Sequence, residues 1–350
     1  MGARFACNGS LQAKSYIRYE KNACSHQQTV RYGGRRRKCV DCQRTWRIRR
    51  KRQGRKRKRQ TATFAEQILR SQATLRGTAA ARETNRELIL GRFHRSLGRW
   101  KRTHPGAPPF GRRHGTLIVI VDGVWFTLEG RRLTAFVILV RPVRSSLARL
   151  RGLVLLEGEE CERSWRAVFH ERLTEHEMAR IRAIVADGSH GLTTIAKEHG
   201  WVYQRCHFHL IKDLRLIRGK RKSPTRWIRE RAYDLVRAAL DTPSERKTAR
   251  LVTNLRRLIA RSDCPRTVRR KVGGFLRHLK KFRACYYHPE LNLPHTSNST
   301  ECVARLIQAR LSPMRGVRTI ASLAEWLEIV CRSSPTIRCN PKNINQIKTS

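Results

Sequence analysis

The chain has 350 residues, with 76 lysines and arginines against 26 aspartates and glutamates, a formal charge of +50. An excess of that size repels itself in a compact fold unless a polyanion neutralises it, so nucleic acid is the expected partner. Secretion and membrane insertion are not expected: MGARFACNGS has no signal-peptide core, the apolar runs 117–121 and 133–140 are too short to cross a bilayer, and the 11 scattered cysteines read as reduced thiols.

Residues 1–46 hold four cysteines and little apolar periodicity. Residues 47–59, RIRRKRQGRKRKR, carry ten basic residues in thirteen and read as a solvated linker or arm that lies on phosphates. Residues 60–104 look helical, with Phe64, Ile68 and Leu69 on one stripe and a second run ending in Leu88, Ile89 and Phe93. From residue 115 the pattern changes to strands at 116–121, 132–140 and 153–156. A helix at 161–172, a strand at 181–185, a helix at 192–199 and a strand at 201–205 follow. Three strands and then alternating helix and strand describe a mixed α/β sheet flanked by helices. Residues 207–283 turn helical and basic, and a last helix runs from about 300 to 311.

Two acids stand out because each follows an apolar strand and precedes glycine: Asp122 in LIVIVDG and Asp187 in IRAIVADG. Acids outside strand ends can grip a cation, and glycine leaves room for a metal or phosphate at the backbone. Taken singly, either could be an Asp-Gly turn that ends a strand. Glu301 stands at the head of the last helix behind Ser297, Asn298 and Ser299, where it is either a third ligand or a first-turn acid favouring the helix dipole. Three carboxylates suffice for phosphodiester chemistry, because hard divalent cations take oxygen ligands and complete their shells with water and the substrate phosphate.

The order strand–Asp-Gly, strand–Asp-Gly, Gln204-Arg205-Cys206-His207-Phe208-His209, helical stretch and Asn298-Ser299-Thr300-Glu301 resembles the DDE transposases of the Mutator-like group and their bacterial insertion-sequence relatives. The likeness spans about residues 115–330. Its most distinctive piece is VADGSHGLTTIAKEHGWVYQRCHFHLIKDL. It implies a ribonuclease-H-like core in two parts, 115–207 and 297–335, split by an all-helical insertion, 208–296, and followed by a tail, 336–350. Asp122, Asp187 and Glu301 would be the catalytic, Mg²⁺- or Mn²⁺-binding triad. Cys206 and His209 would be a structural or substrate-positioning pair near the active site; half a zinc site is the other reading of that spacing. Trp227 resembles the apolar residue that such insertions place near transposon-end DNA.

The front end also resembles bacterial members of the group, in which a zinc ribbon (here 1–46) precedes a helix-turn-helix (60–104). Cys39 and Cys42 look like the second zinc knuckle. The first departs from pattern, leaving Cys24 and His26, or Cys7 in place of His26, as partners in a candidate Zn²⁺ site; the alternative is a ribbon that packs without metal. The first helix of the helix-turn-helix would be 75–81 and its recognition helix 85–95, with Asn85, Arg86, Arg92 and Arg95 facing the major groove. A plain helical bundle with a basic exterior is the alternative. The resemblance implies a cytoplasmic, nucleoid-associated enzyme that binds double-stranded DNA as a dimer or larger. Two other readings stay open: a decayed or domesticated transposase that only binds DNA, and an RNA-packaging protein explained by charge alone.

Overall fold

The computed structural model describes residues 28–33, 36–47, 67, 75–219, 223–311 and 319–339. The chain divides into two compact units, Met1–Thr61 and Ala62–Ser350. In the first, β1 (Thr29–Arg31), β2 (Arg36–Cys39) and β3 (Thr45–Arg47) form an antiparallel sheet in that order. Cys39 is buried and Cys42 half-buried on the turn between β2 and β3. That turn is closed by the Gln43 N–H donating to the Cys39 carbonyl at 3.1 Å. Cys7, Cys24 and His26 lie outside the described residues, as do Phe64, Ile68 and Leu69.

The second unit is an α/β fold built on a mixed six-stranded sheet. Its strands are β4 (Leu117–Leu128), β5 (Arg131–Pro142), β6 (Leu147–Glu157), β7 (Ile181–Ala186), β8 (Val202–Arg205) and β9 (Thr336–Arg338). They lie in the order β8-β7-β4-β5-β6-β9, with β7 parallel to β4 and to β8 and the other pairs antiparallel. Period-two alternation, interrupted where the β4–β7 and β5–β6 registers shift, sorts the strand residues between two cores. On one face Ile118, Ile120, Val137 and Val185 pack with Val303 and Ile307 of the helix Asn298–Leu311 and with Leu323, Leu327 and Val330 of the helix Ile320–Ser333. On the other, Val119, Val121, Phe136 and Ile184 pack under Trp165, Val168 and Phe169 of the helix Glu162–Arg172 and under Leu192 and Ile195 of the helix His190–Glu198.

The first strand differs from its sequence expectation in a way that matters for the site. It does not stop at Asp122. Asp122 pairs with Val137 in mid-strand, and β4 continues to Leu128 before turning back. The hairpin turn is Glu129-Gly130, with φ of 54° and 73°, a two-residue connection with both residues left-handed. Val124, Phe126 and Leu128 keep the alternation going and pack against the first core, so burial of apolar side chains overrides the Asp-Gly turn signal. The third strand is also longer than expected, because its edge is extended by β9: Leu147, Ala148 and Arg149 pair with Arg338, Ile337 and Thr336. The beginning of the expected tail is therefore part of the sheet.

Between β8 and the helix Asn298–Leu311 lies a helical region with its own core. Its longer members are His207–Arg218, Arg226–Asp241, Glu245–Ala260 and Arg266–Arg277, which bury Leu214, Val236, Leu255 and Phe275 among others. Two fully buried arginines fasten it by donating to carbonyls rather than to acids. Arg283 reaches Ala239 O at 2.8 Å and Thr242 O at 2.7 Å, and Arg141, at the end of β5, reaches Ser145 O at 2.8 Å and also Asn292 O.

Ahead of the sheet, the helices Leu75–Ala81 and Arg86–Thr103 match the expected pair, although the second runs eight residues past the expected end at 95. The extension is a docking segment. Phe93 stacks on Trp326 at 6.0 Å, Lys101 bonds Glu325 and Glu328 at 3.2 and 3.0 Å, and Arg332 donates to the carbonyls of Lys101 and His104. Among the described residues no helix is long and apolar enough to cross a membrane.

Candidate functional site

Strand register decides where the acids go. Asp122 has the same parity as Ile118 and Ile120, so it points to the sheet face that carries the helix Asn298–Leu311. Its Oδ2 accepts a hydrogen bond from the buried Thr300 hydroxyl at 3.1 Å, and its Oδ1 accepts from Gly123 N at 3.0 Å. Asp187 directly follows the adjacent parallel strand. Its Oδ1 accepts from Ser189 N at 3.0 Å, a turn that launches the helix His190–Glu198. Glu301 is half-buried in the first turn of Asn298–Leu311, one residue after the threonine that holds Asp122.

A fourth carboxylate joins them from the opposite face of the sheet. Glu160 precedes the helix Glu162–Arg172, and its Oε1 accepts from the Trp125 indole N–H at 3.2 Å. It fills the space left by Gly123: a Cβ there would sit 2.1 Å from Glu160 Oε1. The room expected at this glycine for a metal or phosphate is taken by a side chain. The same holds at Gly188 (φ 117°), where a Cβ would fall 2.2 Å from Arg205 Nε.

These groups sense one another. Burial first, and then the Asp187 charge, raises Asp122 above the ordinary carboxylate range against the pull of His209 and Thr300. Burial and Asp122 likewise raise Glu301. Burial, Asp187 and Asp122 push Glu160 up to about 7. Burial alone would lower the His209 imidazole, but the Cys206 sulfur and the Asp122 and Asp187 carboxylates outweigh it and raise it to about 9. The arrangement is a nest of mutually repelling acids with one imidazolium against them.

Cys206 and His209 interact with each other, and each also has a contact of its own. The Cys206 sulfur is buried and accepts from both the backbone N–H and the hydroxyl of Ser297, at 3.2 and 3.1 Å. It thereby ties the end of β8 to the segment that leads into Thr300 and Glu301. His209, in the first turn of the helix His207–Arg218, turns its charge toward the Cys206 sulfur and the acids. Gln204 completes the joint by donating to Phe282 O at 3.0 Å and accepting from Cys285 N at 2.8 Å.

Hard oxygen donors under mutual repulsion are the chemistry a divalent cation relieves. As the side chains stand, though, no three His, Cys, Asp or Glu groups among the described residues enclose a metal position. Water or a substrate phosphate would have to complete such a shell.

Of the expected DNA-contacting residues, Arg92 and Arg95 are exposed on the helix Arg86–Thr103. Asn85 is also exposed, but its side chain accepts from Glu87 N at 2.9 Å and so caps that helix; Arg86 begins the helix. Trp227 is exposed on the helix Arg226–Asp241, with the Arg261 guanidinium 4.8 Å above its ring. These residues do not gather with the acids into one site.

Thr300, Arg205 and Glu160 were not singled out by sequence. For Glu160 the available signal was weak, since it is one of several acids in EGEECE. Its neighbours are neutralised: Glu157 pairs with Arg131, Glu159 with Arg132 and Glu162 with Arg166. Glu160 has no such partner among the described residues. No protein-family model matches this chain, and no curated protein matches its sequence.

Proposed function

We propose that the chain is a DDE-type DNA transposase whose α/β unit is a ribonuclease-H-like core. Three features of the fold support the reading. The first three sheet strands form an antiparallel meander, and the next two add in parallel on the other side of the first. An acid comes from the first strand, another follows the fourth, and a helical region intervenes before the helix that brings the glutamate. The observation that carries the reading is the 3.1 Å hydrogen bond from Thr300 to Asp122, which sets the start of the helix bearing Glu301 against β4, with Asp187 following the adjacent parallel strand β7.

Asp122, Asp187 and Glu301 would hold Mg²⁺ or Mn²⁺, with Glu160 in reserve beside Asp122. Bound there, divalent cations would stabilise the attacking and leaving oxygens of an in-line phosphoryl transfer. The chain's own groups do the positioning. Thr300 orients Asp122, Cys206 fixes the loop before Thr300, and His209 tempers the repulsion among the acids until a cation and DNA arrive. The exposed helix Arg86–Thr103, with Arg92 and Arg95, would bind element ends, and the basic surface would engage phosphates. Joining two ends calls for at least a dimer on DNA.

The test is strand cleavage of DNA carrying the sequences that flank the gene, with Mg²⁺ or Mn²⁺ present. Asp122→Ala, Asp187→Ala and Glu301→Ala should each abolish cleavage while retaining DNA binding. Cleavage by Asp122→Ala and Asp187→Ala at the wild-type rate would refute the assignment. The incomplete enclosure of a metal position favours one second reading, a descendant that binds DNA without cutting it. That reading predicts end-specific binding by the wild type and no cleavage at any divalent cation concentration.

A further inference from the structure

A cavity of about 130 Å³ opens beside Asp187, between the end of β8 and the helix Arg266–Arg277. Its wall includes Arg205, His209, Asp213, Arg270, Lys271 and Gly274. The charges do not cancel. Lys271 pairs with Asp213, and His209 faces the acids. Arg205 and Arg270 form no ion pair among the described residues.

The Arg205 guanidinium is held rigidly in the cavity wall. It lies over the Phe282 ring at 4.9 Å and packs on Gly188, where no Cβ could fit. Its Nη2 donates only a long 3.4 Å hydrogen bond to Asp187 O, and its buried Nε has no partner. The surplus is felt nearby, since burial and the Arg205 charge together lower both His278 and Lys281. Two arginines without a carboxylate partner on one cavity wall leave it net positive and suited to an anion.

We infer that this cavity is a phosphate-binding subsite, in which Arg205 and Arg270 together grip one backbone phosphate of DNA next to the phosphodiester handled at Asp187. This rests on the proposed reading of the acids as the place where DNA is cut, and it gives the helical region a defined task. Asp187 lies on the boundary of both sites, so a phosphate in the cavity would set the distance of its neighbour from the acids. Arginine suits the role because its planar fork matches two phosphate oxygens. The opening is lined by Gly274, where added atoms would meet nothing within 4 Å.

The experiment measures Kd of the full chain for a 30-base-pair duplex at several salt concentrations in EDTA, so that cutting plays no part. Each phosphate contacted contributes about 0.9 to the slope of log affinity against log salt. Arg205→Gln and Arg270→Gln should each reduce the slope by a part of that step, since the remaining arginine still meets the phosphate. The double variant should lose about 0.9 in all, since both residues serve one phosphate. Gly274→Leu, which fills the cavity without altering charge, should do likewise, and Arg205→Lys should keep most of the slope. Arg144→Gln, on the exposed β5–β6 turn at the opposite end of the strands, should leave the cavity's contribution intact.

Unchanged slopes in Arg270→Gln and Gly274→Leu would overturn the inference. So would a loss of about 1.8 in the double variant, which would place the two arginines on different phosphates. If Arg205→Gln fails to fold, Arg270→Gln and Gly274→Leu decide alone, because one is exposed and the other faces open space. Should the acid variants still cut DNA while these slopes fall, the nuclease assignment is wrong and the phosphate site stands.

Discussion

Replacing Glu160 with glutamine isolates the electrostatics of the acid nest, because the amide oxygen can still accept from the Trp125 indole. In the folded chain the Glu160 carboxyl is lifted from 4.5 to about 7. At about 1.4 kcal/mol per pH unit, that corresponds to about 3 kcal/mol. The folded state holds this proton more tightly than the unfolded state. Its contribution is therefore fully present below about pH 4.5 and is lost as pH rises through about 7. Glutamine cannot ionise, so the variant keeps that stability.

Urea unfolding from pH 4 to pH 8 in EDTA should show the two proteins nearly parallel at the acid end. Glu160→Gln should be the more stable by up to about 3 kcal/mol at the alkaline end. Added Mg²⁺ at pH 8 should narrow the gap, since a cation would offset the same repulsion. Parallel curves across the whole range would refute the reasoning and mean that Glu160 is solvated and independent of Asp122 and Asp187.

Gly123→Ala should place a methyl where Glu160 Oε1 lies, at 2.1 Å, expel the carboxylate and erase the same pH window with the circular dichroism spectrum retained; persistence of the window would mean that the carboxylate has another route in. Thr300→Val removes the hydroxyl whose single proton is shared between Asp122 and Ser297 O. It should cost about 1 kcal/mol in urea unfolding and weaken Mn²⁺ binding measured by calorimetry, with Thr300→Ser recovering both. Glu177→Ala should destabilise the core by about 3 kcal/mol in the same unfolding assay. Glu177 is fully buried and accepts from Phe110 N at 3.0 Å and from Arg151 at 3.2 Å, so its loss strands both donors.

The α/β class was legible because β-branched runs alternate with helical periods, and Asp187 was legible because it directly follows the last residue of β7. Asp122 was found for a reason that did not survive. Asp-Gly reads locally as a turn, whereas the turn is at Glu129-Gly130, after apolar residues on alternate positions carry the strand onward. Strand β9, Thr336–Arg338, is too short to read from local pattern even though Thr336 and Ile337 favour strands; it pairs because β6 offers an open edge. The helix Arg86–Thr103 outran its expected end because Phe93, Leu97 and Trp100 are buried, a matter of contact and not of period.

What the sequence determined by itself was the charge, five strands of the six-stranded sheet and the two acids attached to them, since each of these follows from a few neighbouring residues. Only the tertiary structure decided which glutamate of the 157–162 segment reaches the site, and what fills the space at Gly123 and Gly188. The Glu160 carboxylate, from a loop, meets the missing Cβ of Gly123 on β4, and the Arg205 guanidinium, at the end of β8, meets that of Gly188 after β7, only after the sheet has formed. Local pattern carries no record of such a fit.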